Sequence, residues 1–94
     1  MPVTIIFPRP FNALLEGQKQ FQVEGSTVHG AFEALIVRFP KLKTHLFGEG
    51  AHVRSFLHIY VNGEDVRNLQ GEATPLKEND VIRIVPSIIG GARE

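Results

Sequence analysis

One apolar stripe decides most of what this chain can fold into. Val28, Ala31, Phe32, Leu35, Ile36 and Phe39 recur at helical spacing, so this segment is expected to bury one face as an amphipathic helix. Gly25-Ser26-Thr27 opens it, and either Ser26 or Thr27 can cap the free amides. Gly30 weakens the helix, and Pro40 stops it after Phe39. The other well-patterned runs alternate with period two. A chain of 94 residues makes one domain, and one sheet on one or two helices is the realistic limit of its core.

The alternating runs supply that sheet. Val3, Ile5 and Phe7 share one face of a first strand, which Pro8 and Pro10 end. A turn through Asn12 to Gly17 leads to a second strand over Gln18–Val23, with Phe21 and Val23 on one face. After the helix, Leu42 to Phe47 forms a short further turn and Gly48-Glu49-Gly50 a loop. In Phe56–Val61 the inward set is Leu57, Ile59 and Val61. Asn62-Gly63 follows directly, and such a pair predicts a tight hairpin because both turn positions need positive φ. Leu69 to Asn79 reads as turn and loop with Leu76 as an anchor, and Val81–Val85 as a last strand with Ile82 and Ile84 inward.

Two strands, a helix, a strand pair and a final strand give an α+β domain with the helix on one sheet face. A β-grasp arrangement satisfies that order, with a mixed sheet of about four to five strands packed on one main helix. It is one of a few topologies that the periodicities allow. The expected organisation is a domain over residues 1–86 and a flexible tail over 87–94.

Composition narrows the chemistry. Ten basic and ten acidic residues cancel, with no basic stripe of the kind nucleic acid selects. Cysteine is absent, which removes disulfides, thiolate metal sites and cysteine nucleophiles. The N-terminus lacks the basic region and long apolar run of a signal peptide, and no run is long enough to cross a membrane; the expectation is a cytoplasmic protein. His29, His45, His52 and His58 form no zinc-ligand spacing. His45 and His52 flank a glycine-rich loop, yet ordinary surface histidines are the better reading, and no metal site is expected. Glu64-Asp65 reads as a solvated hairpin. No nucleophile elbow, dinucleotide fingerprint or phosphate-binding loop is present, so the chain is not expected to be an enzyme.

The outer sheet face and the tail carry more information. With Leu57, Ile59, Ile82 and Ile84 inward, Phe56, His58, Tyr60, Val81, Arg83 and Val85 point outward. Aromatic and β-branched residues around one arginine suit a partner interface, although exposed apolar residues are common without one. Phe56, His58, Tyr60, Arg83 and Val85 are the interface candidates. Gly90-Gly91 lies four residues beyond Pro86; a frayed glycine-rich end accounts for it equally well on composition alone.

Phe56–Arg67, FLHIYVNGEDVR, and Asn79–Gly91, NDVIRIVPSIIGG, resemble corresponding parts of the MoaD/ThiS family, the ubiquitin-like sulfur carriers of molybdopterin, thiamine and cysteine biosynthesis. The hairpin resembles carriers that serve cysteine synthases of the pyridoxal-phosphate type. The resemblance implies a carrier with no bound cofactor, whose Gly91 carboxylate is adenylated with ATP by a ubiquitin-activating-type partner. A sulfur donor then converts it to a thiocarboxylate. Gly90, lacking a side chain, helps thread the tail through a narrow channel. The sulfur would go to cysteine or a related amino acid, alternatively to molybdopterin, thiamine or thiolated tRNA. Ala92-Arg93-Glu94 follows the glycine pair and departs from the usual pattern, because a peptide bond at Gly91 cannot be adenylated. The expectation is cleavage between Gly91 and Ala92, by a zinc metallopeptidase of the JAMM type. Two rival expectations are a ubiquitin-like modifier conjugated through Gly91 and a β-grasp adaptor with an inert tail.

Overall fold

The computed structural model describes residues 2–47 and 57–86. The chain runs β1 (Pro2–Ile6), a 3-10 turn (Arg9–Leu15), β2 (Gln20–Glu24), α1 (Val28–Arg38), α2 (Leu42–Leu46), β3 (Leu57–Val61) and β4 (Glu64–Asp65). Short 3-10 turns over Val66–Asn68 and Gly71–Ala73 precede β5 (Val81–Pro86). The five strands form one mixed sheet in the order β2-β1-β5-β3-β4. Among the described residues only β1 and β5 run parallel, placing Ile5 beside Ile82 and Ile6 beside Arg83; the other pairs are antiparallel.

Thr27 is the residue that caps α1. Its backbone is extended, and its Oγ1 accepts from the Gly30 N–H at 3.0 Å, satisfying one of the amides left open at a helix start. Val28, Ala31, Phe32 and Leu35 then lie fully buried on one stripe, with Ile36 and Phe39 half-buried beside it. The stripe faces Val3, Ile5, Phe21, Val23, Leu57, Ile59, Val61, Ile82 and Ile84, the inward residues of four strands. Gly25 allows the close approach of chain and helix: a Cβ there would stand 2.8 Å from the Ala31 backbone.

Leu42–Leu46, expected within a turn, is a short helix that buries Leu42 and Leu46. β2 begins at Gln20 rather than Gln18, and two further segments depart from expectation. The stretch expected as a turn through Asn12 to Gly17 is mostly a 3-10 turn that starts at Arg9. Burial decides the difference, because that turn drops Phe11 and Leu15 into the core. It ends at Glu16 and Gly17, with φ of 58° and 84°, where the Gly17 N–H donates to the Asn12 carbonyl. The hairpin after β3 is as short as expected, with φ of 52° at Asn62 and 90° at Gly63. Its return strand is only two residues long, since Asp65 accepts from the Arg67 N–H at 2.8 Å and turns Val66 into the core. Leu76 is the expected anchor, buried, with its N–H on the Ser26 carbonyl at 2.8 Å.

Candidate docking face

The helix covers one side of the sheet; the candidate site is the other. Antiparallel register places Tyr60 opposite Arg83 and His58 opposite Val85. All four leave the inward face, because their neighbours Ile59, Val61, Ile82 and Ile84 are buried. Val85 is 38% exposed, an apolar side chain partly open to solvent. Tyr60, Asn62, Gly63, Val81, Arg83 and Val85 line a shallow concavity of about 570 Å³. The Arg83 guanidinium forms no ion pair within the described residues. The face therefore combines an aromatic ring, aliphatic side chains and one arginine with no ion pair among the described residues, a composition that interface cores favour.

Asn62 fixes the rim of this concavity. Its backbone N–H donates to the Val81 carbonyl at 2.8 Å, and its Oδ1 accepts from the Val81 N–H at 3.0 Å. Its side-chain amide donates to Asp80 Oδ1 at 2.9 Å. Asp80 also accepts from the Lys77 N–H at 2.7 Å. Burial pushes the Asp80 carboxyl up, but those two hydrogen bonds and the Lys77 charge together hold it below the usual carboxylate range.

On the β4 side, Asp65 stands opposite Tyr60 and Arg67 folds back over it. The Arg67 N–H and then its side chain hold Asp65 below the usual carboxylate range, against a smaller upward push from burial. Arg67 Nη2 lies 3.3 Å from Asp65 Oδ2 and also donates to His58 Nδ1.

Of the expected interface residues, His58, Tyr60, Arg83 and Val85 come together on this face, while Phe56 lies outside the described residues. Gly90, Gly91 and Ala92 lie outside them too. Sequence reasoning missed Thr4 and Ile6, which sit beside Val81 and Arg83 through the parallel β1–β5 pairing. The inward alternation of Val3, Ile5 and Phe7 already implied that Ile6 points outward; its neighbour was the missing fact. Asp65 and Arg67 were missed as parts of the rim.

The histidines differ from one another. His29 is more than an ordinary surface residue: its Nδ1 lies 3.0 Å from Glu72 and its Nε2 3.1 Å from Glu33. The Glu72 bond raises its pKa most; burial opposes this, and Glu33 adds to the rise. No signal short of the fold could join residues 43 positions apart. His45 donates from Nδ1 to the Lys41 carbonyl at 3.0 Å, and His52 lies outside the described residues. Among the described residues no cluster of three histidines or carboxylates could hold a metal ion, and no helix is long and apolar enough to cross a membrane.

A five-stranded mixed sheet in this order, closed over one main helix, is the ubiquitin-like β-grasp fold. The sequence matches the ThiS family over residues 5–91, and the chain belongs to that family. It is 30% identical over 93 residues to the sulfur carrier protein CysO of Mycobacterium tuberculosis, covering 97% of this chain and 100% of that one. The crystal structure of M. tuberculosis CysO superposes with a TM-score of 0.84 at 29% identity, over 90% of this chain and 98% of that one. A chain of the Amycolatopsis orientalis BexX/CysO complex gives 0.85 at 29% identity, over 90% and 94%. The small archaeal modifier protein 1 of Methanosarcina acetivorans gives 0.82 at 25% identity, over 93% of each chain. The chain is thus of the class of small ubiquitin-like sulfur carriers rather than of enzymes.

Proposed function

We propose that this carrier holds sulfur as a thiocarboxylate on Gly91 and delivers it in the biosynthesis of cysteine or a related amino acid. The observation that carries the reading is the family match, which runs through the last strand and the glycine pair to Gly91. A partner of the ubiquitin-activating type docks on the outer sheet face and adenylates the Gly91 carboxylate. ATP is consumed and pyrophosphate leaves. A hydrosulfide-level donor then attacks the acyl-adenylate; the new C–S bond forms as the C–O bond to AMP breaks. The acceptor is a pyridoxal-phosphate cysteine synthase. In the chain as written, Gly91 is bonded to Ala92, so a JAMM-type metallopeptidase first cleaves that bond and frees the carboxylate. The likeness to a small archaeal modifier protein supports a second fate for the same activated glycine, conjugation to lysines of other proteins.

Intact-mass measurement on protein from its native cells tests this reading. The expected species are a chain ending at Gly91 and the same chain about 16 Da heavier, one oxygen replaced by sulfur. Native protein that keeps Glu94 while the sulfur pathway runs overturns the processing step. Isopeptide conjugates without thiocarboxylate shift the reading to the modifier.

A further inference from the structure

We propose that Asn62-Gly63 is a one-way modification site: hydrogen bonds to Asp80 and Val81 protect the Asn62 side-chain amide while the hairpin is closed, and its conversion to a carboxylate weakens the same hairpin. The inference needs neither the docking face nor the tail. Asn62-Gly63 is the one Asn-Gly pair in the chain; Asn12, Asn68 and Asn79 precede Ala13, Leu69 and Asp80. Glycine puts no side chain in the way of a main-chain nitrogen that bends back on its neighbour. In the reaction, the Gly63 nitrogen gives its proton to hydroxide and attacks Asn62 Cγ. The N–Cγ bond forms, the Cγ–Nδ2 bond breaks, and ammonia leaves after taking a proton from water. Water then opens the cyclic imide at either carbonyl, which leaves an aspartate or an isoaspartate at position 62. Both residues are exposed, and a side chain at Gly63 would meet nothing within 4 Å, so water reaches the reacting nitrogen.

The closed hairpin withholds the reacting carbon. Asn62 Oδ1 accepts from the Val81 N–H at 3.0 Å, and Nδ2 donates to Asp80 Oδ1 at 2.9 Å. Both ends of the amide are tied to the start of β5, so its plane is fixed, and swinging its face onto the Gly63 nitrogen breaks both bonds. The main chain is pinned as well, through the Asn62 N–H on the Val81 carbonyl at 2.8 Å. The product fits this site poorly. An aspartate at position 62 still accepts from Val81, but it turns a carboxylate oxygen toward Asp80 Oδ1 where a donor stood. Asp80 is buried, and Lys77 is the charged neighbour that acts on it. Carboxylates at hydrogen-bond distance repel unless they share a proton, and a buried acceptor stripped of its donor is costly. An isoaspartate instead lengthens the main chain by a methylene, within a tight turn already held at φ of 52° and 90°.

Peptide mass spectra of the chain ageing in mildly alkaline buffer test the protection, through a gain of about 1 Da at position 62. The folded chain should deamidate at least about tenfold more slowly than the same chain unfolded in urea, because two hydrogen bonds must break first. Asp80→Asn, with its α1 amides still protected from hydrogen exchange, should deamidate severalfold faster than the folded parent. Equal rates for folded and unfolded chain, or an Asp80→Asn rate equal to the parent's, overturn the protection. Urea midpoints at neutral pH test the effect of the product. Asn62→Asp should unfold at a lower midpoint than the parent. Adding Asp80→Asn to it exchanges donor and acceptor between the two positions and leaves an amide oxygen at position 80 for the Lys77 N–H. The double variant should therefore recover most of the lost midpoint, although each substitution alone is destabilising. An Asn62→Asp midpoint equal to the parent's, or losses that simply add in the double variant, overturn the repulsion and the one-way character with it.

Discussion

Asp80 shows how much a single carboxylate organises at the edge of the candidate face. It is buried, it accepts from Lys77 and Asn62, and Asn62 in turn holds the start of β5. Folding lowers its pKa, so its contribution is complete above the ordinary aspartate value near pH 4 and disappears as pH falls through the lower folded value. Asp80→Asn should therefore cost about 1–2 kcal/mol at pH 7. The gap to the parent should narrow in urea titrations as pH falls below the ordinary aspartate value near 4; a gap independent of pH would mean that the charge is irrelevant. His29 carries the opposite sign. Its folded pKa is raised chiefly by Glu72, so its contribution is present below the ordinary histidine value and lost as pH rises through the folded one. Glu72→Gln should narrow the stability difference between mildly acidic and alkaline solution, and a pH profile unchanged by the substitution would discount the Glu72 bond.

Within elements, α1 concentrates its stabilisation on one stripe. Phe32 has no exposure and meets Phe47 edge-on at 6.3 Å between ring centres, whereas Val37 is 80% exposed. Phe32→Ala should cost about 3–5 kcal/mol through lost burial and the cavity left behind. Val37→Ala should fall within about 0.5 kcal/mol. Denaturant midpoints would compare them, and similar losses at both positions would contradict the packing described. The same contrast explains what the sequence made legible. The α1 stripe, the Asn62-Gly63 hairpin and the inward residues of β3 and β5 were legible because a strong period or a glycine at positive φ fixes them locally. The outward set of Tyr60, Arg83, Val85 and His58 came with that period. The 3-10 turn at Arg9–Leu15 was not legible, since two prolines interrupt any pattern there and burial of Phe11 and Leu15 shapes it. Nor was the β1–β5 pairing, which is set by tertiary packing and alone places Ile6 beside Arg83. The links of His29 to Glu72 and of His58 to Arg67 need the fold before the partners can meet.

For the molecule as a whole, the placement of β5 would join the proposed docking face to the proposed chemistry of the tail. It is the middle strand of the sheet; its outward residues Arg83 and Val85 belong to the proposed docking face, and its last residue, Pro86, leads into the segment that carries Gly91. A partner holding this face thus holds the root of the tail. Gly91 lies five residues beyond Pro86, so its carboxylate can reach no farther than about 17 Å from the end of β5. A matched partner must keep its ATP site within that radius. Deleting Ile88 and Ile89 from a chain ending at Gly91 leaves the glycine pair and the docking face intact but shortens the reach by about 7 Å. A misplacement of about 1 Å can already cost around a hundredfold in rate. Adenylation of the shortened chain should therefore fall by at least about a hundredfold, while affinity for the same enzyme stays within about threefold of the parent. ATP–pyrophosphate exchange measures the first and calorimetry the second. Exchange at the parent's rate would show that the enzyme does not use the face as its fixed point. Loss of affinity equal to the loss of rate would show that the tail, rather than the sheet, is what the enzyme grips.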